Sequence, residues 1–253
     1  MIRLKNEKDV EILRISGKIL AGVLRALKKE VQVGVSLSDL DTLARELMAE
    51  KGARPAFLGY RSEGSKKAYP AAICTSVNEV VVHGLPSDYK LKDGDLLKID
   101  AGVDFKGYIT DSAITVAVGS VSKSAKNLMN ATEKALSEGI KVARAGNRVG
   151  DIGCAIQKVA EKYEVEILRG LTGHGVGFAL HEDPTIWNYG VKDTGVELVP
   201  GLVIAIEPMF SESSPSITQR SDESYASADG SLTAQFEHTV LITKRGAEIL
   251  TRF

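Results

Sequence analysis

The feature that most constrains the fold of this chain is an approximate internal repeat. Residues 34–40 (GVSLSDL) align with residues 146–152 (GNRVGDI), and residues 94–100 (GDLLKID) align with residues 201–207 (GLVIAIE). In the second pair, a glycine turn leads into an apolar strand that ends in a carboxylate. Such self-similarity indicates duplication, although short αβ segments also resemble one another by chance. Duplication predicts two halves packed about a pseudo-twofold axis, with Asp100 and Glu207 in equivalent places near it.

Hydrophobic spacing predicts the same order of elements twice, two helices followed by strands. Asn6 with Asp9 has the spacing of a helix N-terminus, and Ser38 with Asp41 resembles a capping box. The predicted helices cover residues 6–29, 38 onward, 122–143 and 149–163, and the predicted strands cover 71–76, 80–83, 96–103, 108–118, 165–168, 202–206 and 232–242. We therefore expect one α+β domain over residues 1–253, with an internal repeat at about 6–119 and 120–250.

Residues 211–231 form an irregular stretch that contains eight serines in 21 positions. Loops longer than about 12–15 residues inside a compact domain tend to be functional or disordered. We predict an irregular loop here, which is either a solvated tip or a lid.

Composition excludes several classes of protein. The 253 residues carry 32 Lys and Arg against 33 Asp and Glu, which gives a net charge of −1 and no case for a nucleic-acid coat or a polybasic membrane anchor. The longest apolar run, 202–206, is far below the roughly 20 residues that span a bilayer. The N-terminus is charged where a signal peptide is apolar, and Cys74 and Cys154 form no C-x-x-C motif. We expect a cytoplasmic protein that acts on neither a membrane nor a nucleic acid.

Two aspartates, Asp100 and Asp111, lie on consecutive predicted strands. A hairpin with its turn at Phe105-Lys106 would pair them directly, which puts their Cβ atoms about 4.5–5.5 Å apart on one face. Two carboxylates so placed repel each other unless a proton or a cation lies between them. A slipped register or a bulge that leaves one Asp in solvent is the alternative, and this pair alone does not decide between the two.

Two glutamates favour the metal site. Glu207 ends the apolar run 203–206, and the repeat makes it the counterpart of Asp100. Glu237 lies within the predicted strand 232–242 and is the natural counterpart of Asp111. A charged group at the end of a buried strand is rarely left unpaired, and four carboxylates together need cations. Divalent ions such as Mn²⁺, Fe²⁺ or Co²⁺, bound through carboxylate and imidazole, would satisfy them.

Histidines supply the candidate imidazoles. His174 sits in the motif GHGVG at 173–177, where we expect three glycines to let the backbone approach closely and to leave the ring accessible. His83 and His181 lie in turn-rich segments and are candidates for binding a polarised carbonyl or moving a proton. His238 follows Glu237 and should point to the opposite face of its strand. The sequence has no phosphate-binding loop, no H-E-x-x-H and no G-x-S-x-G.

Five segments in this order resemble the type I methionine aminopeptidase family. They are VNEVVVHG at 77–84, Asp100 with Asp111 eleven positions later, GHGVG at 173–177 followed by His181, IEPM at 206–209, and AQFEHT at 234–239. The resemblance covers nearly the whole chain. It implies a pita-bread fold, in which two pseudo-symmetric halves surround a curved antiparallel sheet backed by helices. It also implies a single cytoplasmic catalytic domain, a monomer, that acts on peptide and nascent-chain N-termini, with the ribosome as a further candidate partner.

The resemblance implies two divalent metal ions, Co²⁺, Mn²⁺ or Fe²⁺, with Zn²⁺ and Ni²⁺ as alternatives. Asp100 would bind one ion, and His174 with Glu207 would bind the other. Asp111 and Glu237 would bridge the pair.

The resemblance also implies removal of N-terminal methionine by a metal-activated hydroxide that attacks the first peptide bond. Glu207 would take the proton of the attacking water, His181 would stabilise the oxyanion, and His83 would assist at the peptide nitrogen. Tyr69 and Cys74 would line the methionine pocket, and a cramped neighbouring site would admit only a small second residue.

The sequence departs from the family pattern in the segment before the last strands. Relatives often carry a Trp there, whereas the only Trp of this chain is Trp187 and the region holds Ser221 to Tyr225. Tyr225 is the candidate substitute. Position 82 is Val where some relatives carry Cys. These differences leave pocket closure and the breadth of substrates open.

Two competing functions remain. A proline-directed relative such as prolidase carries an extra N-terminal domain before its metal-binding half, and here the first expected ligand is already residue 100. Some pita-bread proteins are binding modules that have lost their metal ligands, but all five ligand positions are filled in this chain. We expect the aminopeptidase.

Overall fold

The computed structural model of the chain describes residues 2–61 and 66–252. Within these residues it contains four helices and fifteen strands, which form four antiparallel sheets. The helices are α1 (Glu7–Glu30), α2 (Leu37–Glu50), α3 (Lys123–Val142) and α4 (Val149–Tyr163). The strands are β1 (Arg54–Pro55), β2 (Ile73–Val77), β3 (Val80–Val82), β4 (Leu96–Phe105), β5 (Tyr108–Ala117), β6 (Glu166–Ile167), β7 (Thr172–Gly175), β8 (Glu182–Trp187), β9 (Val203–Ile206), β10 (Met209–Ser211), β11 (Ile217–Gln219), β12 (Tyr225–Ser227), β13 (Thr233–Gln235), β14 (His238–Thr243) and β15 (Gly246–Ile249).

Each helix pair covers the sheet of its own half. In the first half, Leu20 and Leu24 of α1 pack with Ile99 of β4 and Ile114 of β5. Complete burial of a leucine side chain stabilises a fold by roughly 1.5–3 kcal/mol, so these contacts hold the helices on the sheet. In the second half, α3 and α4 share a second apolar cluster with β9 and β14. None of the helices in the described residues combines the length and the apolar character needed to cross a bilayer.

The same backbone hydrogen bonds recur in the two halves at the positions of the sequence repeat. The matched pairs are Gly34 N–H to Leu91 C=O with Gly146 N–H to Leu198 C=O, and Gly94 N–H to Val118 C=O with Gly201 N–H to Ile242 C=O. All four glycines have φ between 88° and 94°, a region that side chains disfavour. The repeated glycines therefore form equivalent turns that lead into equivalent elements.

The start of α1 agrees with the prediction from the sequence, whereas the start of α2 does not. Asn6 caps α1, and the Asp9 carboxylate accepts the Asn6 N–H in return at 2.9 Å. The N-cap of α2 is Ser36, whose hydroxyl accepts the Asp39 N–H at 3.1 Å, so the capping box predicted at Ser38 and Asp41 is wrong. The Asp41 carboxylate instead accepts the backbone N–H groups of residues 72 and 73, just before and at the start of β2.

The hairpin of β4 and β5 has a different register from the predicted one. Asp100 lies opposite Ala113, and Asp111 lies opposite Gly102. The turn is at Lys106-Gly107, where both residues have positive φ (55° and 83°), as a two-residue type I′ turn requires. A shift of two residues keeps every side chain on its face, so the two carboxylates are diagonal neighbours rather than directly opposed.

Residues 211–231 are irregular over most of their length, as predicted, but they contain the short strands β11 and β12. β11 and β12 pair as a hairpin, and β12 pairs with β3. The serines bond locally instead of leaving the backbone unpaired; for example, Ser227 Oγ donates to the Ser231 carbonyl at 2.7 Å. The segment therefore extends the wall next to His83.

Candidate metal centre

Side-chain hydroxyls join β5 of the first half to the last strands of the second half. Thr239 Oγ1 donates to the Asp111 carbonyl at 2.7 Å and accepts the Asp111 N–H at 2.8 Å. Glu237 N–H donates to the Ala113 carbonyl at 2.9 Å. The predicted strand 232–242 is consequently divided into β13 and β14 at residues 236–237, because Glu237 bonds across to β5. This break brings Glu237 beside Asp111.

The five residues predicted as metal ligands lie together at this junction. Asp111, His174 and Glu237 each offer a ligand atom, and these atoms lie within 4.8 Å of one another. His174 Nε2 is 3.5 Å from Glu207 Oε1 and 3.9 Å from Asp111 Oδ2. Asp100 contacts the cluster through a hydrogen bond to Asp111. The cluster therefore draws carboxylates from both halves.

Burial governs the electrostatics of the four carboxyl groups. Loss of hydration raises the pKa of Asp100 to about 7. Loss of hydration and the charges of their neighbours raise the pKa values of Asp111, Glu207 and Glu237 well above the ordinary range. Because these raised pKa values disfavour the ionised forms, the four carboxyl groups need protons or cations as partners.

Unpartnered oxygen atoms show that the cluster fits metal ions. Asp100 Oδ1, Asp111 Oδ1 and Glu237 Oε1 are buried and have no hydrogen-bond partner among residues 2–61 and 66–252. Buried polar atoms are almost always satisfied in folded proteins, so three such atoms on residues of one cluster call for a ligand. Carboxylate oxygens with one imidazole are donors that suit divalent cations.

His174 is held as a neutral donor. Its Nδ1 lies 2.9 Å from the Gly175 carbonyl, and because a carbonyl only accepts, Nδ1 carries the proton. The lone pair of Nε2 then faces the carboxylates, which is the usual arrangement of a metal-binding histidine. Burial lowers the pKa of His174 to about 4, so the ring stays neutral near pH 7.

The glycines around His174 allow the close backbone approach that the sequence predicts. A Cβ at Gly173 would lie 2.3 Å from the Ala205 carbonyl oxygen, and one at Gly175 would lie 2.1 Å from the Asp183 carbonyl oxygen. A Cβ at Gly177 would lie 2.5 Å from Lys5 Cε. These glycines therefore allow neighbouring backbone and side chain to approach β7, as expected, while the His174 side chain is only 12% exposed.

Two further histidines flank the cluster. The ring centroid of His181 lies 4.4 Å from that of His174, and its Nδ1 is 2.7 Å from the Tyr60 hydroxyl. His83 follows β3 with φ 61° and packs edge-on against Tyr225 at 5.8 Å. Loss of hydration lowers the pKa of His83 and lowers that of His181 to about 3, so both imidazoles are neutral at physiological pH.

An apolar cluster adjoins Asp100. Cys74 lies opposite Asp100 in the β2–β4 ladder and packs with Phe57 and Leu180. Burial raises the pKa of the Cys74 thiol, which keeps it neutral. The Tyr69 hydroxyl donates to the Ile73 and Gly84 carbonyls at 3.1 and 3.0 Å, so the wall is fixed by backbone contacts and presents ring carbon and sulfur.

Two residues of the site were missed by the sequence reasoning. Gln235 Nε2 donates to Glu207 Oε2 at 3.2 Å, and this side chain also hydrogen-bonds to Asp100. Tyr60 reaches His181 from the segment after β1. Gln235 lies two residues before Glu237, and alternation along a strand puts both on one face, so it could have been found from the sequence, whereas Tyr60 carries no such signal. His238, expected to point away, lies 3.0 Å from Thr251 Oγ1 through its Nδ1.

Comparison with known proteins defines the class to which this fold and site belong. Residues 11–244 match the model of metallopeptidase family M24. The chain therefore belongs to the M24 metallopeptidases, a family of divalent-metal enzymes, and it has their pita-bread fold.

Within that class, the chain is similar to methionine aminopeptidases over its full length. It is 45% identical to the methionine aminopeptidase of Aquifex aeolicus, over 99% of this chain and 98% of the relative. It is 41% identical to methionine aminopeptidase 1 of Bacillus subtilis, over the whole of both chains. The crystal structure of the Thermotoga maritima methionine aminopeptidase superposes with a TM-score of 0.95 at 41% identity and covers both chains completely. The resemblance found in the sequence motifs is confirmed.

A more distant likeness concerns the fold alone. A prolidase from Pyrococcus furiosus matches with a TM-score of 0.78 at 23% identity, and the match covers 99% of this chain and 65% of the prolidase. The pita-bread fold is thus shared with a proline-directed enzyme, so the fold does not identify the substrate.

Proposed function

We propose that this chain removes the N-terminal methionine from peptides and nascent proteins and prefers a small second residue. The observation that carries the proposal is the group of four carboxylates and one neutral imidazole, in which three of the carboxylates have a buried, unpartnered oxygen. Full-length similarity to methionine aminopeptidases supports the choice of substrate.

We assign the metal ligands as follows. Asp100 would hold one divalent ion, His174 and Glu207 the other, and Asp111 and Glu237 both. The unpartnered oxygens of Asp100, Asp111 and Glu237 support this assignment. Mn²⁺, Fe²⁺ and Co²⁺ are the proposed ions, with Zn²⁺ and Ni²⁺ as alternatives, because carboxylate and imidazole donors accept all of them.

Bound divalent ions lower the pKa of water so that it can attack a carbonyl near neutral pH. The residues of the chain would then move protons and stabilise charge. Glu207, at the edge of the cluster nearest His174, would accept the proton of the attacking water. A Tyr60 hydroxyl that donates to His181 Nδ1 leaves the Nε2–H of His181 to donate to the substrate carbonyl oxygen. His83 would assist at the peptide nitrogen.

The methionine side chain would pack against the apolar cluster that contains Cys74 and Tyr69. Apolar and polarisable groups suit a thioether, and the contacts with Phe57 and Leu180 support this placement. Tyr225, which packs against His83, would close the site where relatives carry Trp. A cytoplasmic location, a monomeric state and contact with the ribosome stay predictions from the sequence.

A peptide panel tests the function. Met-Ala-Ser, Met-Leu-Ser and an Xaa-Pro dipeptide are incubated with the purified chain and Mn²⁺, Fe²⁺ or Co²⁺ in turn. We expect release of methionine from Met-Ala-Ser, slower release from Met-Leu-Ser and no cleavage of Xaa-Pro. Preferred cleavage of Xaa-Pro would show a proline-directed enzyme instead. Absence of both activities and of bound metal by mass spectrometry would show a binding module.

A further inference from the structure

The N-terminal segment before α1 makes a buried ion pair with the residue that follows His181. Lys5 Nζ lies 2.6 Å from Glu182 Oε2, and the side chains of Lys5 and Glu182 are only 1% and 8% exposed. Fully buried ion pairs are uncommon because both charges lose their hydration. This one joins residues that are 177 positions apart in the chain.

Glu182 in turn fixes the loop that leads into His181. Its Oε1 accepts the backbone N–H groups of Phe178 and Ala179 at 2.5 and 2.9 Å, while its Oε2 faces Lys5. Both oxygens therefore have defined partners. The start of the same loop is tied to β5, because Ile109 N–H donates to the Gly177 carbonyl at 2.7 Å.

Two glycines make room for Lys5. A Cβ at Gly177 would lie 2.5 Å from Lys5 Cε, and a Cβ at Gly201 would lie 2.9 Å from the Lys5 carbonyl oxygen. Lys5 N–H donates to the Gly201 carbonyl at 2.8 Å. The Phe178 ring covers the ammonium at 4.8 Å. The two glycines, the Gly201 carbonyl and the Phe178 ring therefore all contact Lys5.

We propose that Lys5 is a positioning residue, which through Glu182 fixes the turn that sets His181 beside His174 and Tyr60. The inference rests on the proposed function, since it assigns His181 to the substrate. Without the ammonium, the buried Glu182 carboxylate would have to take up a proton or turn toward water, and turning would take the acceptor away from the Phe178 and Ala179 N–H groups. A displacement of about 1 Å at a reacting group can slow a reaction by about 10²-fold.

The test compares Lys5→Met with Arg14→Met. Methionine keeps the length and apolar stem of lysine without its charge. Arg14 makes an ion pair with Glu248 that also ties the N-terminal region to a late strand, but that pair is solvent-exposed. We expect kcat on Met-Ala-Ser to fall about tenfold or more in Lys5→Met and to stay at the wild-type value in Arg14→Met. The Kd for Mn²⁺ should be unchanged in both variants.

A spectroscopic readout separates positioning from general stability. The imidazole signals of His181, assigned by their loss in His181→Gln, should shift in Lys5→Met and not in Arg14→Met. A folded Lys5→Met with normal kcat and unshifted His181 signals would overturn the proposal.

Glu182→Gln carries the same test if Lys5→Met does not fold. If its amide oxygen accepts from Phe178 and Ala179, its NH2 group must face the Lys5 ammonium, and these two donors repel each other, so the turn is no longer held and the same two results decide. If the wild-type chain cleaves no peptide of the panel, the proposed function fails. The His181 signals then still report whether Lys5 fixes the loop.

Discussion

Glu207 uses its two carboxylate oxygens differently. Oε1 lies 3.5 Å from His174 Nε2, and Oε2 accepts the hydrogen bond from Gln235 at 3.2 Å. One oxygen is thus available to the cluster, while the other fixes the orientation of the side chain. A carboxylate that is oriented in this way can accept a proton without a rotation of its side chain.

Replacement of Glu207 tests its role in proton transfer. Glu207→Gln keeps the shape of the side chain, and its amide oxygen can still accept from Gln235, but an amide cannot take up a proton. We expect kcat on Met-Ala-Ser to fall by about 10²–10⁴-fold. Bound metal is measured in the same sample by mass spectrometry, and Glu166→Gln, at an exposed position, is the control. Full activity with metal bound would contradict the assignment.

Gln235 is expected to hold the metal ligands in place without binding metal itself. Gln235→Met preserves the volume but removes the donor to Glu207 and Asp100. Loss of such a supporting hydrogen bond typically weakens metal binding by about 10–100-fold. Titration calorimetry with Mn²⁺ measures this change. The matched control is Gln219→Met on the exposed face of β11, and equal affinities in both variants would refute the role.

At the scale of the secondary-structure elements, the site depends on how β5 meets β13 and β14. Thr239 Oγ1 bonds both the N–H and the C=O of Asp111, and Thr115 Oγ1 does the same for the backbone of Gln235. Hydroxyl groups here replace a strand ladder between the two halves. Together with the hydrogen bond from Glu237 N–H to the Ala113 carbonyl, they hold the carboxylates of the two halves side by side.

Removal of one hydroxyl should destabilise this junction. Thr239→Val is nearly isosteric, but it leaves the buried N–H and C=O of Asp111 without partners. An unsatisfied buried polar group costs about 1–3 kcal/mol, so we expect the free energy of unfolding in urea to fall by about that amount. Thr42→Val, at an exposed helix position, should change it by less than about 0.5 kcal/mol. Equal effects at both positions would show that the junction contributes nothing.

The sequence predicts the periodic elements well because they follow local rules. α4 begins at Val149 and ends at Tyr163 as expected, since apolar spacing alone sets its buried face. The predicted register of β4 and β5 is wrong because the turn lies at Lys106-Gly107 and not one residue earlier. A residue pair that ends in glycine is a turn signal, so this part of the fold could be predicted from the sequence. The division of strand 232–242 could not be foreseen, because the partner of Glu237 is Ala113 in the other half of the chain.

Residues of the candidate site also divide into those that a local sequence pattern reveals and those that depend on long-range contacts. Asp100, Glu207 and His174 end or interrupt apolar segments, and this pattern marks them in the sequence. The ion pair of Lys5 with Glu182 joins the N-terminal segment to a distant loop, and no local pattern connects two such residues. Long-range contacts of this kind become visible only when the chain is folded.

At the scale of the whole molecule, folding gathers acids from both halves into one buried place. The pKa values of the four carboxyl groups are raised above their ordinary values of 3.8 to 4.5, to about 7 for Asp100. Without metal, the folded chain then holds protons that the unfolded chain releases. A raised acid pKa makes folding less favourable as pH rises through that range.

Histidines oppose this effect over part of the range. Burial lowers the pKa values of His174 and His238 from 6.5 to about 4. Their contribution to stability rises with pH up to about 6.5 and is constant above it, because they are then neutral in both states. Between about pH 4.5 and 6.5 the two contributions have opposite signs. Above pH 6.5 the histidines add no slope, and the buried Lys98, whose pKa is lowered to about 7, opposes the carboxyl groups, which outnumber it four to one.

The metal-free chain should therefore lose stability between pH 6.5 and 8. Each carboxyl that is protonated only in the folded state contributes a slope of up to about 1.4 kcal/mol per pH unit. Saturating Mn²⁺ binds the ionised carboxylates and should remove this slope, because metal affinity increases as the ligands lose their protons. Urea unfolding with EDTA and with Mn²⁺ measures both curves. Asp111→Asn, which removes one of these acids, should show a shallower slope with EDTA. A metal-free stability that is flat or rises with pH in this range would mean that the carboxylates are not crowded as described.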